Sequence, residues 1–249
     1  FSMFLISGLW CAVVSAQAPR CGAQPVPGVR PPPVSSPMPS GKDTRLVDLG
    51  TNVFERTCLM EQGERTLGLK EFKWRHAETA HFVLHYENAI FAQKVARMAE
   101  FFYDYISADL KVSKDLRRGR SHIFIFDSKK AWETFQTKYS ENPQPWVASW
   151  VKGTEMFLQQ TGGGSDAADT LSHEMTHLII NRFFEGDSPL AVNEGLAEWY
   201  GEFAYAAFKG VKKSKKQEFK RFAGALPLGE ILSMQEYPKG GPEMIHRFY

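Results

Sequence analysis

Two consecutive helical segments, each carrying a pair of ionisable side chains four residues apart, constrain this chain more than any other feature. The first pair is His173 and His177, and the second is Glu194 and Glu198. Residues four apart in an α-helix lie on one face, so each segment presents its two polar groups in the same direction. Only a short loop separates the segments, so the second helix can bring its pair to the first.

Local signals define the ends of both helices. Ser165 or Asp166 is expected to cap the first helix, which runs to about Phe184 and stops before a glycine. Proline is favoured at the first position of a helix, which predicts a second helix from about Pro189 to Phe208.

The preceding part of the chain alternates between strand-like and helix-like patterns. Short runs of β-branched and aromatic residues predict strands, and apolar residues at helical spacing predict helices. The expected elements are a strand at 81–86, a helix at 89–110, a strand at 121–126, a helix capped by Asp127 or Ser128, and one or two strands within 147–160 that turn at Lys152–Gly153. This order favours an α+β or α/β domain over residues 46–249.

The N-terminal 45 residues differ in composition from the rest. Residues 1–16 are apolar and uncharged and are followed by small residues, which predicts the hydrophobic part of a secretory signal peptide that is incomplete at its N terminus. Residues 17–45 are rich in proline, serine and glycine and are expected to form an extended linker. We therefore expect a secreted or periplasmic protein without a membrane span once the signal is removed. The alternative is an uncleaved membrane anchor, although the apolar run is shorter than a typical span.

Two cysteines would remain after signal cleavage. Cys11 lies inside the predicted signal, which leaves Cys21 and Cys58. An even pair in an exported protein is compatible with a disulfide, and two unpaired thiols are the alternative. The formal net charge of +2 gives no reason to expect nucleic acid as a partner.

The first helical segment contains the sequence His-Glu-Met-Thr-His at 173–177, which matches the pattern H-E-x-x-H. Two imidazoles on one helix face can bind the same zinc ion. Glu174 lies about 100° around the helix from His173, so it is placed to reach a water on the metal and not the metal itself. The motif thus predicts a zinc centre with Glu174 as general base. The alternative is two partly buried helix histidines with a surface glutamate between them.

A catalytic zinc site needs a third protein ligand and one open position. Glu194, in the second helix, would complete a His₂Glu site. Glu198, one turn later, would accept a hydrogen bond from the free ring nitrogen of a ligand histidine and so fix its tautomer.

The motif HEMTH followed by NEGLAEW resembles the gluzincin metallopeptidases, the group that includes thermolysin and the aminopeptidase N-like enzymes. Within that group the chain resembles exported bacterial proteins of the peptidase MA-like superfamily, mainly over residues 150–205. The resemblance implies a zincin-like α+β domain with a small mixed sheet, a helix carrying H-E-x-x-H and a following helix carrying the third ligand. In that group Glu194 corresponds to the third zinc ligand.

The resemblance also implies zinc-dependent hydrolysis of peptide bonds by a metal-activated water. The strand around Glu155–Gln160 is expected to be the edge strand that pairs with the substrate backbone. Tyr237, His246 and Tyr249 are candidates for stabilising the oxyanion. The domain is expected to be truncated at its C-terminal end. The alternative function is a catalytically inactive gluzincin-like scaffold that binds at the cell surface.

Histidines outside the motif are expected to be structural. His81 and His85 should lie on one face of the first strand, where a second metal site would be conceivable. Two donors without a clustered carboxylate make ordinary strand histidines the better interpretation, and the same holds for His122.

Overall fold

The computed structural model describes residues 46–50, 54–112, 119–139, 147–160, 164–184, 188–212 and 226–234. The strands are β1 (Val47–Gly50), β2 (Arg75–Glu78), β3 (Phe82–Tyr86), β4 (Ser121–Phe126), β5 (Ser149–Lys152) and β6 (Glu155–Gln159). The helices are α1 (Glu61–Leu67), α2 (Ala89–Asp109), α3 (Lys129–Tyr139), α4 (Gly164–Phe183), α5 (Leu190–Phe208) and α6 (Leu228–Ser233).

The six strands form one mixed sheet in the order β1-β2-β3-β4-β6-β5. The central strands β3, β4 and β6 are parallel, and the remaining pairings, β1 with β2, β2 with β3 and β5 with β6, are antiparallel. Parallel neighbours need a crossover connection, which α2 supplies between β3 and β4. The α+β class predicted from the sequence is confirmed.

The predicted position of the edge strand is wrong. β6, which contains Glu155–Gln159, lies inside the sheet between β4 and β5, and β5 forms the edge. The two strands form the predicted hairpin, whose turn contains Gly153 at φ 57°. The outer strand of a hairpin is decided by which partner meets the rest of the sheet, and local sequence does not carry that information.

The sheet is buried on both faces. On one face α2, α4 and α5 cover apolar side chains that alternate along the strands, including Leu84, Ile123, Ile125 and Leu158. On the other face α1 and α3 cover an aromatic group that includes Phe124, Phe126, Trp132, Phe135 and Phe157. Burying each of these large side chains contributes roughly 1.5–3 kcal/mol, so both layers hold the sheet firmly.

Two predicted helices begin at polar caps. Asn88 accepts hydrogen bonds from the backbone N–H groups of Ile90 and Phe91 and so begins α2. Of the two residues predicted to cap the next helix, Ser128 does so, since its Oγ accepts from the N–H of Ala131 at 3.1 Å. Such a cap contributes about 1 kcal/mol to a helix.

The segment before β2 is joined to the sheet by buried polar contacts. Glu155 of β6 accepts hydrogen bonds from the backbone N–H groups of Met60 and Gly63, at the start of α1. Thr154 donates to the carbonyl of Cys58 at 3.0 Å. Cys58 is disulfide-bonded, and the two other cysteines of the chain, Cys11 and Cys21, lie outside the described residues.

Several predictions concern residues outside the described ranges. They include the signal segment 1–16, the linker 17–45 and the candidate oxyanion donors Tyr237, His246 and Tyr249. Among the described residues, no helix combines the length and the apolar character needed to cross a membrane.

Candidate metal centre

Helix α4 separates its apolar and polar residues onto different faces. Leu171, Met175 and Leu178 are fully buried in the core beneath the sheet. His173 and His177 follow Leu171 and Met175 by two positions, about 200° around the helix, so they point away from the sheet. That face packs against α5, and the side chain of His177 is fully buried there.

Small residues of α5 allow the two helices to approach closely. Ala197, Gly201 and Ala204 recur at helical spacing and are buried. A Cβ atom added to Gly201 would lie 3.2 Å from both Cα and N of His173, closer than ordinary van der Waals contact. Glycine at this position therefore brings the backbone of α5 to the residue that begins the H-E-x-x-H motif.

Three side chains of the two helices converge on one point. The Nε2 atoms of His173 and His177 are 3.1 Å apart. The carboxylate of Glu194 spans both, with Oε2 at 3.5 Å from Nε2 of His173 and Oε1 at 3.6 Å from Nε2 of His177. Within the described part of the chain, these residues are the one group of three or more His, Cys, Asp or Glu side chains that could hold a metal ion.

The separations within this group fit the ligand sphere of zinc. Ligands about 2.0–2.2 Å from a tetrahedral zinc ion lie roughly 3.4 Å from one another. The separations of 3.1–3.6 Å among His173, His177 and Glu194 fall around that value. Two imidazoles and one carboxylate are also a donor set that zinc accepts in catalytic sites.

Interactions among these charged side chains shift their pKa values more than burial does, and in the opposite direction. Burial alone would lower the pKa of His173, but hydrogen bonds to Glu194 and Glu198 outweigh it and raise the pKa to about 10. For the Glu194 carboxyl, burial would raise the pKa, but the charge of His177 and hydrogen bonds to both histidines hold the pKa well below its usual range. A carboxylate kept ionised beside two imidazoles is what a cation site requires.

Each histidine of the group also contacts an oxygen through its second ring nitrogen. Nδ1 of His177 is 3.1 Å from Oδ1 of the buried Asn193. Nδ1 of His173 is 3.3 Å from Oε1 of Glu198, whose side chain is 59% exposed. Because carboxylate and amide oxygens accept hydrogen bonds, Nδ1 is the donor in each contact, and Nε2, which faces Glu194, is the potential ligand atom of each neutral ring.

Glu174 lies between α4 and the edge strand. Its Oε1 accepts a hydrogen bond from Oγ of Ser149, the first residue of β5, at 2.5 Å. Its negative charge also contributes to the raised pKa of His173. Glu174 directly follows His173 on α4 and is not one of the three convergent side chains.

A second group of histidines lies on the opposite face of the sheet. His76, His85 and His122 come from β2, β3 and β4 and form a line, with 2.8 Å between the Nδ1 atoms of His76 and His85 and 2.9 Å between Nε2 of His85 and Nδ1 of His122. The ring of Phe54 packs against all three. His85 uses different nitrogens for its two neighbours, so the three rings do not point at one centre.

The expectation that His81 and His85 share a strand face is wrong. β3 begins at Phe82, and His81, just before it, turns towards α2, where its Nδ1 lies 2.6 Å from Oε2 of Glu100. His81 and His85 therefore have separate partners and cannot form a joint site. The prediction that both are structural histidines agrees with these contacts.

Sequence reasoning missed three residues that shape the candidate site. Asn193, Gly201 and Ser149 contact the convergent group or Glu174. Asn193 directly precedes Glu194, and this adjacency is the only signal that could have identified it. Gly201 follows Glu194 by two helical turns, but its role depends on how closely the helices pack. Ser149 carries no local signal, since its contact depends on the strand order.

In comparisons with known proteins, no family model, no curated protein and no solved structure matches this chain. The candidate site is therefore interpreted from its own residues and geometry.

Proposed function

We propose that this protein is a zinc metallopeptidase of the gluzincin type, with one zinc ion held by His173, His177 and Glu194 and with Glu174 as general base. The observation that carries the proposal is the convergence of two imidazoles and one carboxylate from two different helices. A carboxylate that is not part of that group lies next to it on α4. A binding site that only held a metal would have no chemical need for this additional base.

The donor set favours zinc over the other common metals. Magnesium and calcium prefer oxygen ligands, and soft thiolate ligands that select copper(I) do not occur in the group. Two neutral imidazoles and one carboxylate suit zinc and leave a coordination position for water or substrate.

The chemistry that zinc supplies at such a site is activation of water and polarisation of the scissile carbonyl. Glu174 would remove a proton from the attacking water and deliver it to the nitrogen of the leaving amine. His173 is the more accessible of the two histidines, with 15% of its side chain exposed, so substrate is expected to approach from its side. Asn193 and Glu198 would hold the imidazoles in the tautomer that ligates through Nε2.

A zincin-like fold is part of the proposal. Its support is the packing of α4, with the H-E-x-x-H motif, against a mixed sheet whose edge strand is antiparallel to its neighbour. With β5 at the edge, the strand that would pair with a peptide substrate is Ser149–Lys152.

Peptides or proteins are the proposed substrates, and the proposed location is outside the cytoplasm. The disulfide at Cys58 supports export, since disulfides persist mainly in oxidising compartments. The resemblance of residues 150–205 to exported bacterial peptidases agrees with both.

The test is a comparison of zinc content and peptide cleavage between the wild-type protein and Glu174→Gln. The amide keeps the shape of the side chain but cannot accept the proton. Cleavage of an unstructured protein such as casein should fall about 10²–10⁴-fold while zinc content stays at one ion per chain. Glu194→Gln, the matched control, should lose zinc as well as activity because it weakens a ligand.

Two outcomes would count against the proposal. Glu174→Gln cleaving as fast as the wild type would show that the proposed base is wrong. A wild-type protein that binds zinc stoichiometrically and cleaves no peptide would favour the alternative, an inactive gluzincin-like scaffold that binds partners at the cell surface.

A further inference from the structure

The hydrogen bond between Ser149 and Glu174 joins the edge of the sheet to the helix that carries the candidate site. The two residues are 25 positions apart in the chain, and their side-chain oxygens are 2.5 Å apart. Both residues are almost completely buried, each with 1% of its surface exposed. A short O–H···O contact to a carboxylate is among the stronger hydrogen bonds in proteins.

A buried carboxylate needs donors for its oxygens, and its direction depends on where they lie. The terminal torsion of a glutamate side chain has a broad, roughly two-fold energy profile, so the torsion alone does not fix the carboxylate plane. The serine hydroxyl has one proton to donate, and at this distance it is directed at Oε1. Ser149 in turn is fixed by β5, whose Cα register pairs Ser149 with Leu158 of β6.

We propose that Ser149 is a positioning residue for the general base: by holding Oε1 of Glu174, it aims the other oxygen, Oε2, at the water that is deprotonated. The inference rests on the proposed peptidase function. It assigns the proton transfer to one oxygen of Glu174. It also makes the edge strand part of the catalytic geometry as well as a surface for substrate.

The size of the effect follows from how steeply catalysis depends on geometry. Misplacing a catalytic group by about 1 Å can cost on the order of 100-fold in rate. Loss of one hydrogen bond to a charged group leaves the side chain in place but less well directed, so a loss of about tenfold or more in kcat is expected for Ser149→Ala. KM should change less than about twofold, because the Ser149 hydroxyl is buried against Glu174 and the proposed pairing with substrate uses the backbone of β5.

A purely structural role would give a different pattern. Thr154 lies in the same β5–β6 hairpin and also donates one buried hydroxyl hydrogen bond, to the carbonyl of Cys58 at 3.0 Å. Thr154→Val removes that bond without touching Glu174 and is the matched control. Both variants should lower the melting temperature, but only Ser149→Ala should lower kcat. Ser149→Thr restores a hydroxyl on a β-branched side chain that strands accept, and it should recover most of the lost kcat.

A double-mutant cycle gives a readout that does not depend on activity. In urea unfolding of the metal-free protein, the cost of Ser149→Ala should be clearly smaller in the Glu174→Ala background than in the wild type, because the partner of the hydroxyl is already gone. Zinc content should be equal in the wild type, Ser149→Ala and Thr154→Val. If Ser149→Ala does not fold, Ser149→Cys, which keeps the size but is a weak donor, replaces it and should also lose kcat.

The results separate this inference from the function on which it rests. An active wild type with an equally active Ser149→Ala protein, or equal costs of Ser149→Ala in both backgrounds, would overturn the role of Ser149 and leave the peptidase proposal standing. A zinc-loaded wild type without peptidase activity would overturn both. Reduced kcat with normal KM and zinc content, restored by Ser149→Thr and absent from Thr154→Val, supports the inference.

Discussion

The two groups of histidines on opposite faces of the sheet have similar spacing and opposite electrostatics. His173 and His177 have their nearest nitrogens 3.1 Å apart, and the strand histidines, His76, His85 and His122, have theirs 2.8 and 2.9 Å apart. The pKa of His173 is raised to about 10, whereas burial and the charge of Arg56 lower the pKa of His122 to about 3. The pKa of His85 is also well below its usual value, for the same leading reason.

The difference comes from the carboxylates. Helix α5 brings Glu194 to the helix histidines, and this charge offsets the cost of burying a cation. Burial, His76 and Arg56 lower the pKa of both His85 and His122, and His122 also lowers the pKa of His85. All of these interactions favour the neutral ring. Proximity of histidines therefore does not identify a metal centre by itself. The proposed metal centre rests instead on convergent nitrogens beside an ionised carboxylate.

The largest expected effect is on zinc binding. His177→Ala should remove zinc from the purified protein, because two remaining ligands rarely hold the ion tightly. The loss of affinity should exceed the 10–100-fold that removal of an outer hydrogen-bonding partner costs. His122→Asn, which changes the other histidine group, should retain one zinc ion per chain. Elemental analysis of the wild type and both variants measures the zinc content. Loss of zinc from His122→Asn together with retention in His177→Ala would contradict the assignment of the ligands.

A smaller effect is expected from the oxygens that hold the imidazoles. Asn193→Ala should weaken zinc affinity by about 10–100-fold, since it releases Nδ1 of the buried His177. Glu198→Gln should cost less, because Glu198 is largely exposed and its contact to His173 is shared with solvent. Competition with a chelator of known affinity measures both. Equal zinc affinities in the wild type, Asn193→Ala and Glu198→Gln would show that the side-chain oxygens of Asn193 and Glu198 do not set the ligand geometry.

The strand histidines should make the protein sensitive to acid. The folded-state pKa of His122 is about 3 and the unfolded value is about 6.5, so the unfolded chain binds the proton first as pH falls. Above pH 6.5 the ring is neutral in both states and does not reduce the free energy of unfolding. As pH falls from 6.5 towards 3, only the unfolded chain takes up the proton, and the free energy of unfolding declines. At pH 5 the loss should be about 2 kcal/mol.

The difference between wild type and His122→Asn isolates this contribution. Such a comparison is needed because burial raises the pKa of Glu155 to about 7, which makes its own contribution fall as pH rises from about 4.5 to 7. Urea unfolding of both proteins at pH 7 and pH 5 gives the difference. If the wild type loses no more stability than His122→Asn between these pH values, His122 is not buried in its neutral form.

The smallest expected effect concerns two glycines of α5. Gly201→Ala places a methyl group 3.2 Å from the backbone of His173 and should destabilise the protein by about 1 kcal/mol, since overpacking outweighs the gain in helix propensity. Gly195→Ala meets nothing within 4 Å and should stabilise by up to about 1 kcal/mol. Thermal unfolding of the two variants checks the opposite signs. Stabilisation by both would show that the helices are less closely packed than described.

Much of the secondary structure could be predicted because its signals are local. The helix predicted at 89–110 is observed at Ala89–Asp109, and the strand predicted at 121–126 is observed with the same bounds. Helix α5 begins one residue after its predicted start, and α4 ends one residue before its predicted end. The prediction that Ser165 or Asp166 caps α4 is wrong, since the helix already begins at Gly164. The ligand candidates could be named because helical periodicity alone puts residues four apart on one face.

The rest depends on contacts between distant residues. Strand β1 and helix α1 have only weak local patterns. Strand β1 pairs with β2, and α1 packs on the face of the sheet, so both depend on elements formed by the rest of the chain. The line from His76 to His122 requires three strands to align in a particular register, as the contact of Ser149 requires β5 to lie at the edge. Periodicity cannot reveal such pairings, since many registers have the same alternation.

The close contact at Gly201 also determines how far α5 can slide along α4. A slip of one helical turn, about 5.4 Å, would replace Gly201 opposite His173 by Ala197 or Tyr205. Even a single methyl group is crowded at that place, so Tyr205 is excluded and Ala197 is disfavoured. The contact therefore favours the alignment of the two helices in which Glu194 lies level with the two histidines. The absence of a side chain at Gly201 thus helps to set the alignment of the two helices that bring His173, His177 and Glu194 together.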